Sequence, residues 1–184
     1  RLNMEVELSR MLRWEGVREG LNLNGNATLF VNTHPLEIRR EGLIASMGAA
    51  RQLSQDVPII LEVHEAAITD PREMQLLRSQ LKELNIGLAY DDFGAGQTRL
   101  SELVEAPPDY LKFDISLIHE IDKATPERQK MLASLVQIVL ELGVNPLAEG
   151  VETEAEAEVC RNMGFLTAQG FYFGRPAPVR DYQL

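Results

Sequence analysis

Apolar positions follow two alternating rhythms along this chain. Six short segments, residues 27–33, 59–65, 87–93, 110–116, 145–151 and 167–173, run apolar and then turn polar or charged. Such runs predict parallel strands covered on both faces. Between them the apolar positions recur at helical spacing. Asp70-Pro71-Arg72-Glu73 predicts a helix start, with a capping carboxylate, a proline in the first turn and a glutamate three residues on. Met74, Leu77, Leu81 and Leu84 then keep one face apolar. Thr125-Pro126 opens another helix, whose inward positions are Leu132, Leu135, Val136, Val139 and Leu142, with Gly143 as its stop. Thr153-Glu154-Ala155-Glu156 forms a capping box for a third. The first twenty residues also read as a helix, with Leu8, Met11 and Leu12 inward.

Alternating strands and helices imply a parallel β/α architecture. A closed eight-unit barrel takes roughly 250 residues. Six strands in 184 residues therefore leave about two units to be found, at the N-terminal end. On pattern alone an open doubly wound sheet is the alternative. No linker interrupts the pattern, so residues 1–184 are expected to form one domain, and with Arg1 in place of Met the chain is expected to be an internal piece of a longer product.

Composition narrows the functional classes. Hydrophobic residues make up 45% and charged residues 25%, as in an ordinary globular protein. No apolar run approaches the roughly 18 residues of a membrane span, and no leader peptide is visible, so a cytoplasmic location without membrane contact from this segment is expected, with the cytoplasmic part of a membrane-anchored protein as the alternative. The single cysteine, Cys160, fits a reducing compartment and reads as a buried helix residue. A net charge of −10 repels polyphosphate backbones, which argues against DNA or RNA as a partner.

The informative residues stand where each strand stops. The ends carry Asn32, then Glu62 and Glu65, then Asp91-Asp92, then Lys112 and Asp114, then Glu149 and Glu152, and finally Gln169. In a β/α barrel the carboxyl ends of the strands form the active site. Any one of these residues alone would read as a turn, a salt bridge or a surface charge; six strand ends of one character point to a site. Carboxylates crowded into one mouth repel one another unless a counter-charge is present, and Lys112 alone does not balance them. Oxygen-rich donors select hard divalent ions such as Mg²⁺, Mn²⁺ or Ca²⁺. Adjacent carboxylates like Asp91-Asp92 suit a pair of ions, the arrangement that serves in-line displacement at phosphorus. The chemistry indicated is metal-assisted phosphoester hydrolysis.

These motifs, in this order, resemble the EAL domain family. Val31-Asn32-Thr33-His34 is similar to its asparagine motif, with His34 where a serine is usual. Leu61-Glu62-Val63-His64-Glu65 resembles its Glu-x-Thr-Glu motif, with His64 in place of threonine. Asp91-Asp92-Phe93-Gly94-Ala95-Gly96 matches the double-aspartate loop, Leu111-Lys112-Phe113-Asp114 the Lys-x-Asp motif, and Ala148-Glu149-Gly150-Val151-Glu152-Thr153 an unaltered stretch. Gln169-Gly170-Phe171-Tyr172-Phe173 with Arg175-Pro176 resembles the closing motif.

The resemblance implies a TIM-like (β/α)8 barrel of EAL type, here lacking roughly its first two strands. It implies a phosphodiesterase that opens cyclic di-GMP to linear pGpG with two divalent cations, Mg²⁺ or Mn²⁺, and with Ca²⁺ as an inhibitor. Asn32, Glu62 and Asp91 would hold the first ion, and Asp91 and Asp92 the second. Lys112 would orient or deprotonate the attacking water. Glu149 would reach metal through water, and Gln169 would position water or substrate. Glu65 and Glu152 would anchor the loop after the double aspartate, and Asp114 would orient Lys112. The family also implies a homodimer and fusion to upstream sensor or GGDEF-type domains. His34 and His64 are expected to support or pack rather than ligate.

Two departures qualify this picture. Nothing before Asn32 supplies the Glu-Ala-Leu motif on a strand, and Arg13-Trp14-Glu15, which imitates its neighbourhood, sits in a helical pattern. The motif is therefore expected upstream, and this piece alone is expected to be weakly active or inactive. In the loop after Asp92, Ala95 lacks the hydroxyl of the usual threonine, and Gln97-Thr98-Arg99 replaces Tyr-Ser-Ser. The competing function is a degenerate module that binds cyclic di-GMP or a protein without hydrolysis. A barrel enzyme acting on another phosphorylated metabolite is the third reading.

Overall fold

The structure is a computed structural model that describes residues 4–23, 27–38, 42–53, 55–64, 67, 70–96 and 100–182. Contacts gather the chain into two compact units, Arg1–Ala89 with Ala177–Leu184, and Tyr90–Pro176. None of the described helices is long and apolar enough to cross a membrane.

The first unit contains α1 (Glu5–Gly20), β1 (Leu29–Asn32), α2 (Pro35–Ile38), α3 (Leu43–Leu53), β2 (Ile59–His64) and α4 (Pro71–Glu83), and it holds the start of β3 (Ile86–Phe93). β1 and β2 are parallel, with Leu29 opposite Ile59 and Asn32 opposite Glu62. Val31, Ile59, Leu61 and Val63 are buried, as parallel strands covered on both faces require. Met47 and Ala50 of α3 and Met74, Leu77 and Leu81 of α4 are buried with them. The start of α4 forms as its sequence dictates: the Asp70 carboxylate accepts the Arg72 N–H at 2.8 Å, and Pro71 occupies the first turn.

α1 spans the expected residues but turns a different face inward. Leu8, Met11 and Leu12 are 50%, 55% and 59% exposed, whereas Val6, Arg13, Val17 and Gly20 are buried. The buried set falls on one stripe at helical spacing. Gly20 is consistent with close packing on this face, since a Cβ there would lie 2.5 Å from the Leu29 side chain. The helix thus approaches β1 through this stripe, and a larger residue at position 20 would require the Leu29 side chain to shift.

Arg51 of α3 joins three connecting segments. It donates from Nε to the Leu84 carbonyl at 3.1 Å, from Nη1 to Val57 at 2.8 Å and from Nη2 to Asn85 at 2.7 Å. These carbonyls precede β2 and β3, so one guanidinium fixes the approaches to both strands. Burial pulls its pKa below the ordinary arginine value.

The second unit contains the end of β3, α5 (Leu100–Glu105), β4 (Tyr110–Phe113), α6 (Ile115–Ile118), α7 (Pro126–Glu141), β5 (Asn145–Ala148), α8 (Glu154–Met163) and β6 (Thr167–Ala168). β4, β5 and β6 are parallel neighbours, with Tyr110 opposite Asn145 and Leu147 opposite Thr167. The Asp114 N–H reaches the Phe93 carbonyl at 3.0 Å and ties β4 to β3. Phe113 packs edge-on against Phe93 and Phe165, each at 5.0 Å between ring centres. The predicted caps of α7 and α8 are present, Thr125 accepting from Arg128 N–H and Thr153 sharing a full capping box with Glu156.

Three strands end three or more residues earlier than their apolar runs suggest. The segment 110–116 stops at Phe113, because the Asp114 carboxylate accepts the Ser116 N–H and starts α6. The segment 145–151 stops at Ala148, ahead of the loop that leads to α8. The segment 167–173 stops at Ala168. Gly170 turns the chain there at φ +154°, with the Val151 carbonyl oxygen only 2.1 Å from where a Cβ would stand. Phe171, Tyr172 and Phe173 are consequently exposed, not strand residues.

Candidate active site

In the second unit, hydrogen bonds run from strand end to strand end. Asp114 N–H reaches Phe93, Glu149 N–H reaches Phe113 at 3.1 Å, and Gln169 N–H reaches Ala148 at 2.8 Å. This register continues the pairing of Lys112 with Leu147 and of Leu147 with Thr167. Side chains two residues apart on a strand share a face. Leu147 and Glu149 therefore share one, and the parallel register brings Lys112 and Gln169 to the same side, while Phe113 points the other way.

The outcome is a compact polar cluster. Lys112, only 4% exposed, places Nζ 2.8 Å from Asp91 Oδ1 and 2.8 Å from Glu149 Oε1. Gln169 donates from Nε2 to Glu149 Oε1 at 2.6 Å. Asp92 sits beside them in the left-handed conformation at φ 62°, its N–H 3.2 Å from Asp91 Oδ1. A non-glycine residue held there stores of order 1–3 kcal/mol of strain, a feature typical of functional sites. Asp91, Asp92 and Glu149 each offer a carboxylate oxygen within 4.8 Å of the others.

The donor set fits a hard divalent cation. All three donors are carboxylates, with no sulfur or imidazole among them. Three carboxylates and the Lys112 ammonium carry a formal charge of −3 + 1 = −2, the complement of one such ion.

The first unit presents Asn32 and Glu62 side by side at the ends of β1 and β2. Asn32 is exposed and Glu62 is buried at 5% exposure. The Thr33 N–H donates to the Glu62 carbonyl at 3.1 Å, so the pairing extends past the strand end. His34 uses Nδ1 to accept the Leu36 N–H at 3.3 Å, which makes it a helix cap.

The remaining expected residues have other surroundings. The carboxylate of Asp114, expected to orient Lys112, is occupied as the cap of α6. The reason is that β4 ends one residue before it, so the chain has already begun to turn. Glu65 lies outside the described residues, as does the segment Gln97-Thr98-Arg99. Glu152 is exposed, and its N–H donates to Glu156 Oε2 at 2.8 Å.

Glu156 supports the loop that carries Glu149, a role its sequence position shows only in part. Its carboxylate is buried and accepts the N–H groups of Glu120 at 2.7 Å, Glu152 at 2.8 Å and Thr153 at 3.0 Å. Burial raises its pKa, but the backbone donors of Glu152, Glu120 and Thr153 outweigh it, and the pKa lies below the ordinary glutamate value. The capping box signals the Thr153 bond; nothing local signals Glu120, 36 residues away. Within the same loop, Val151 N–H donates to the Gln169 carbonyl at 3.0 Å, which docks it on the residue bonded to Glu149.

Parallel strands whose carboxyl ends carry acidic, amide and lysine side chains define a β/α domain with a polar, cation-ready face. The EAL domain family profile matches residues 1–176, and the chain belongs to that family. It is 33% identical over 154 residues to MucR of Pseudomonas aeruginosa, a bifunctional diguanylate cyclase/cyclic di-GMP phosphodiesterase, covering 82% of this chain and 22% of that protein. Among solved structures it is similar to the PaMucR phosphodiesterase in complex with c-di-GMP, with TM-score 0.83, 30% identity, and coverage of 96% of this chain and 74% of the other. It is also similar to BlrP1 of Klebsiella pneumoniae in a manganese/cy-diGMP complex, with TM-score 0.82, 29% identity, and coverage of 96% and 46%. The fold is thus that of the EAL barrel expected from the motifs, represented among the described residues by six strands. The chain spans about a fifth of the length of MucR.

Proposed function

We propose that residues 1–184 work as one EAL domain that hydrolyses cyclic di-GMP to linear pGpG, with two Mg²⁺ or Mn²⁺ ions bound. The observation that carries the proposal is the cluster in which Lys112 is held between Asp91 and Glu149, with Asp92 alongside. Asp91 and Asp92 would hold one ion, and Asn32 and Glu62 would serve the other. Bound divalent ions lower the pKa of water and stabilise charge on the phosphoryl oxygens.

The chain's own groups then divide the work. The Lys112 ammonium, fixed by two carboxylates, donates a hydrogen bond that aligns the attacking water. Gln169 is fixed through its amide N–H on Glu149, which leaves its carbonyl oxygen to accept from water or substrate. One water oxygen–phosphorus bond forms, one phosphorus–O3′ bond breaks, and the water proton ends on the released 3′ oxygen. In the same reading the domain acts in the cytoplasm as a homodimer, downstream of sensor or GGDEF-type domains, with Ca²⁺ as an inhibitor.

The test is chromatography of products from cyclic di-GMP with Mg²⁺ or Mn²⁺, using the longest protein that carries this chain, with and without Asp91→Ala. Metal-dependent pGpG, lowered at least about 100-fold by Asp91→Ala, is the expected result. Saturable nucleotide binding with no product would overturn hydrolysis and make the domain a receptor.

A further inference from the structure

A buried ion pair stands directly behind Asn32. The side chains of Arg13 on α1 and Glu37 on α2 are 1% and 0% exposed, and Arg13 Nη2 lies 2.7 Å from Glu37 Oε1. Replacing such a pair by well-packed apolar residues is often neutral or stabilising, so stability alone is a poor reason for one. What an apolar pair does not supply is directed hydrogen bonds. Arg13 Nε donates to the Asn32 carbonyl at 3.2 Å. Its Nη1 donates to Ser46 Oγ at 2.9 Å, and Nη2 also reaches Ser9 Oγ at 3.3 Å. Glu37 Oε1 and Ser9 Oγ both accept the His34 N–H at 3.2 Å. With Thr33 N–H on the Glu62 carbonyl, three consecutive residues at the end of β1 have a fixed backbone group each.

We infer that the Arg13–Glu37 pair is a positioning device for Asn32, and that it sets how tightly Asn32 and Glu62 hold a divalent cation. The inference rests on the phosphodiesterase reading above. A guanidinium is the group suited to this work, since its planar fork reaches a carboxylate, a hydroxyl and a carbonyl at once. Neither residue contacts the reacting atoms; both act through the backbone of Asn32 and His34.

The experiment is a Mn²⁺ titration followed by the electron paramagnetic resonance signal of free Mn²⁺, on the same longest protein, with thermal melting alongside. Arg13→Lys keeps the buried charge and gives up the bond to Asn32. Arg13→Met with Glu37→Leu removes both charges and serves where the lysine variant does not fold. Each is expected to bind Mn²⁺ about 10–100-fold more weakly, as loss of supporting hydrogen bonds does elsewhere. Thr125→Ala, which removes the side-chain cap of α7, is expected to lower the melting temperature and leave Mn²⁺ affinity unchanged. Asn32→Ala is the reference. If Asn32→Ala weakens binding while the folded Arg13 variants match the wild type, the positioning role is overturned and the site reading stands. If Asn32→Ala itself changes nothing, the ligand reading fails and the inference falls with it.

Discussion

Replacing Lys112 by methionine would leave Asp91 and Glu149 facing each other without the ammonium now 2.8 Å from both. Breaking a buried pair in this way costs about 3–5 kcal/mol. The variant should therefore melt well below the wild type without metal, and Mn²⁺ should recover more of the loss than it adds to the wild type. Differential scanning calorimetry at several Mn²⁺ concentrations checks this. Cys160 offers a separate test. Burial, with Glu156 nearby, pushes its thiol up to about 11, so it should resist alkylation in the folded protein at pH 8 and react once urea opens the chain. Iodoacetamide labelling read by mass spectrometry decides it. Asp91, Asp92, Lys112, Glu149 and Gln169 were legible because they break an apolar run at a predictable place. Arg13 was not: a charge on an amphipathic helix normally faces water, and its burial is made tolerable by Glu37, 24 residues on, with the Ser9, Ser46 and Asn32 acceptors. The spacing from His34 to Glu37 matches half a capping box and was the available clue.

Helix starts were the most legible elements, since the Asp70, Thr125 and Thr153 caps depend on residues within one turn. Strand ends were less so. Apolar runs continue past Phe113 and Ala168, and what stops the strands is a cap in one case and the close approach of the Val151 backbone in the other. Glu156 links both kinds of element, and its effect depends on pH. Its folded pKa is depressed, so its stabilisation is present above the unfolded glutamate pKa and disappears as pH falls through the folded value. Glu156→Gln should cost about 1–2 kcal/mol at neutral pH. The difference from wild type should shrink toward zero in acid. Urea unfolding at about pH 7 and about pH 4 measures both limits. A gap that persists or widens in acid would show that the charge is not what matters.

For the molecule as a whole, an excess of ten negative charges makes cations favourable partners. A divalent ion that binds only the folded state adds about 2.7 kcal/mol of stability at 100 times its dissociation constant. Mn²⁺ should raise the melting temperature of the wild type, and Asp91→Ala should abolish most of that rise. The family and the barrel architecture could be read from strand-end motifs spread over the chain, because the spacing of those motifs follows the repeat of the fold itself. The inward face of α1 could not, because Leu8, Met11 and Leu12 form as apolar a stripe in sequence as the one that is buried.

The ammonium of Lys112 has one more consequence. A site made of carboxylates alone would fly apart when emptied, and the domain would depend on metal to fold. Here a covalently attached cation remains at the centre of the cluster after every mobile one has gone. Treatment with a chelator should thus lower the melting temperature yet leave the far-ultraviolet circular dichroism intact, and returning Mn²⁺ should restore the original curve. If the domain binds divalent ions as proposed, emptying and refilling would be a reversible change in a protein that stays folded throughout.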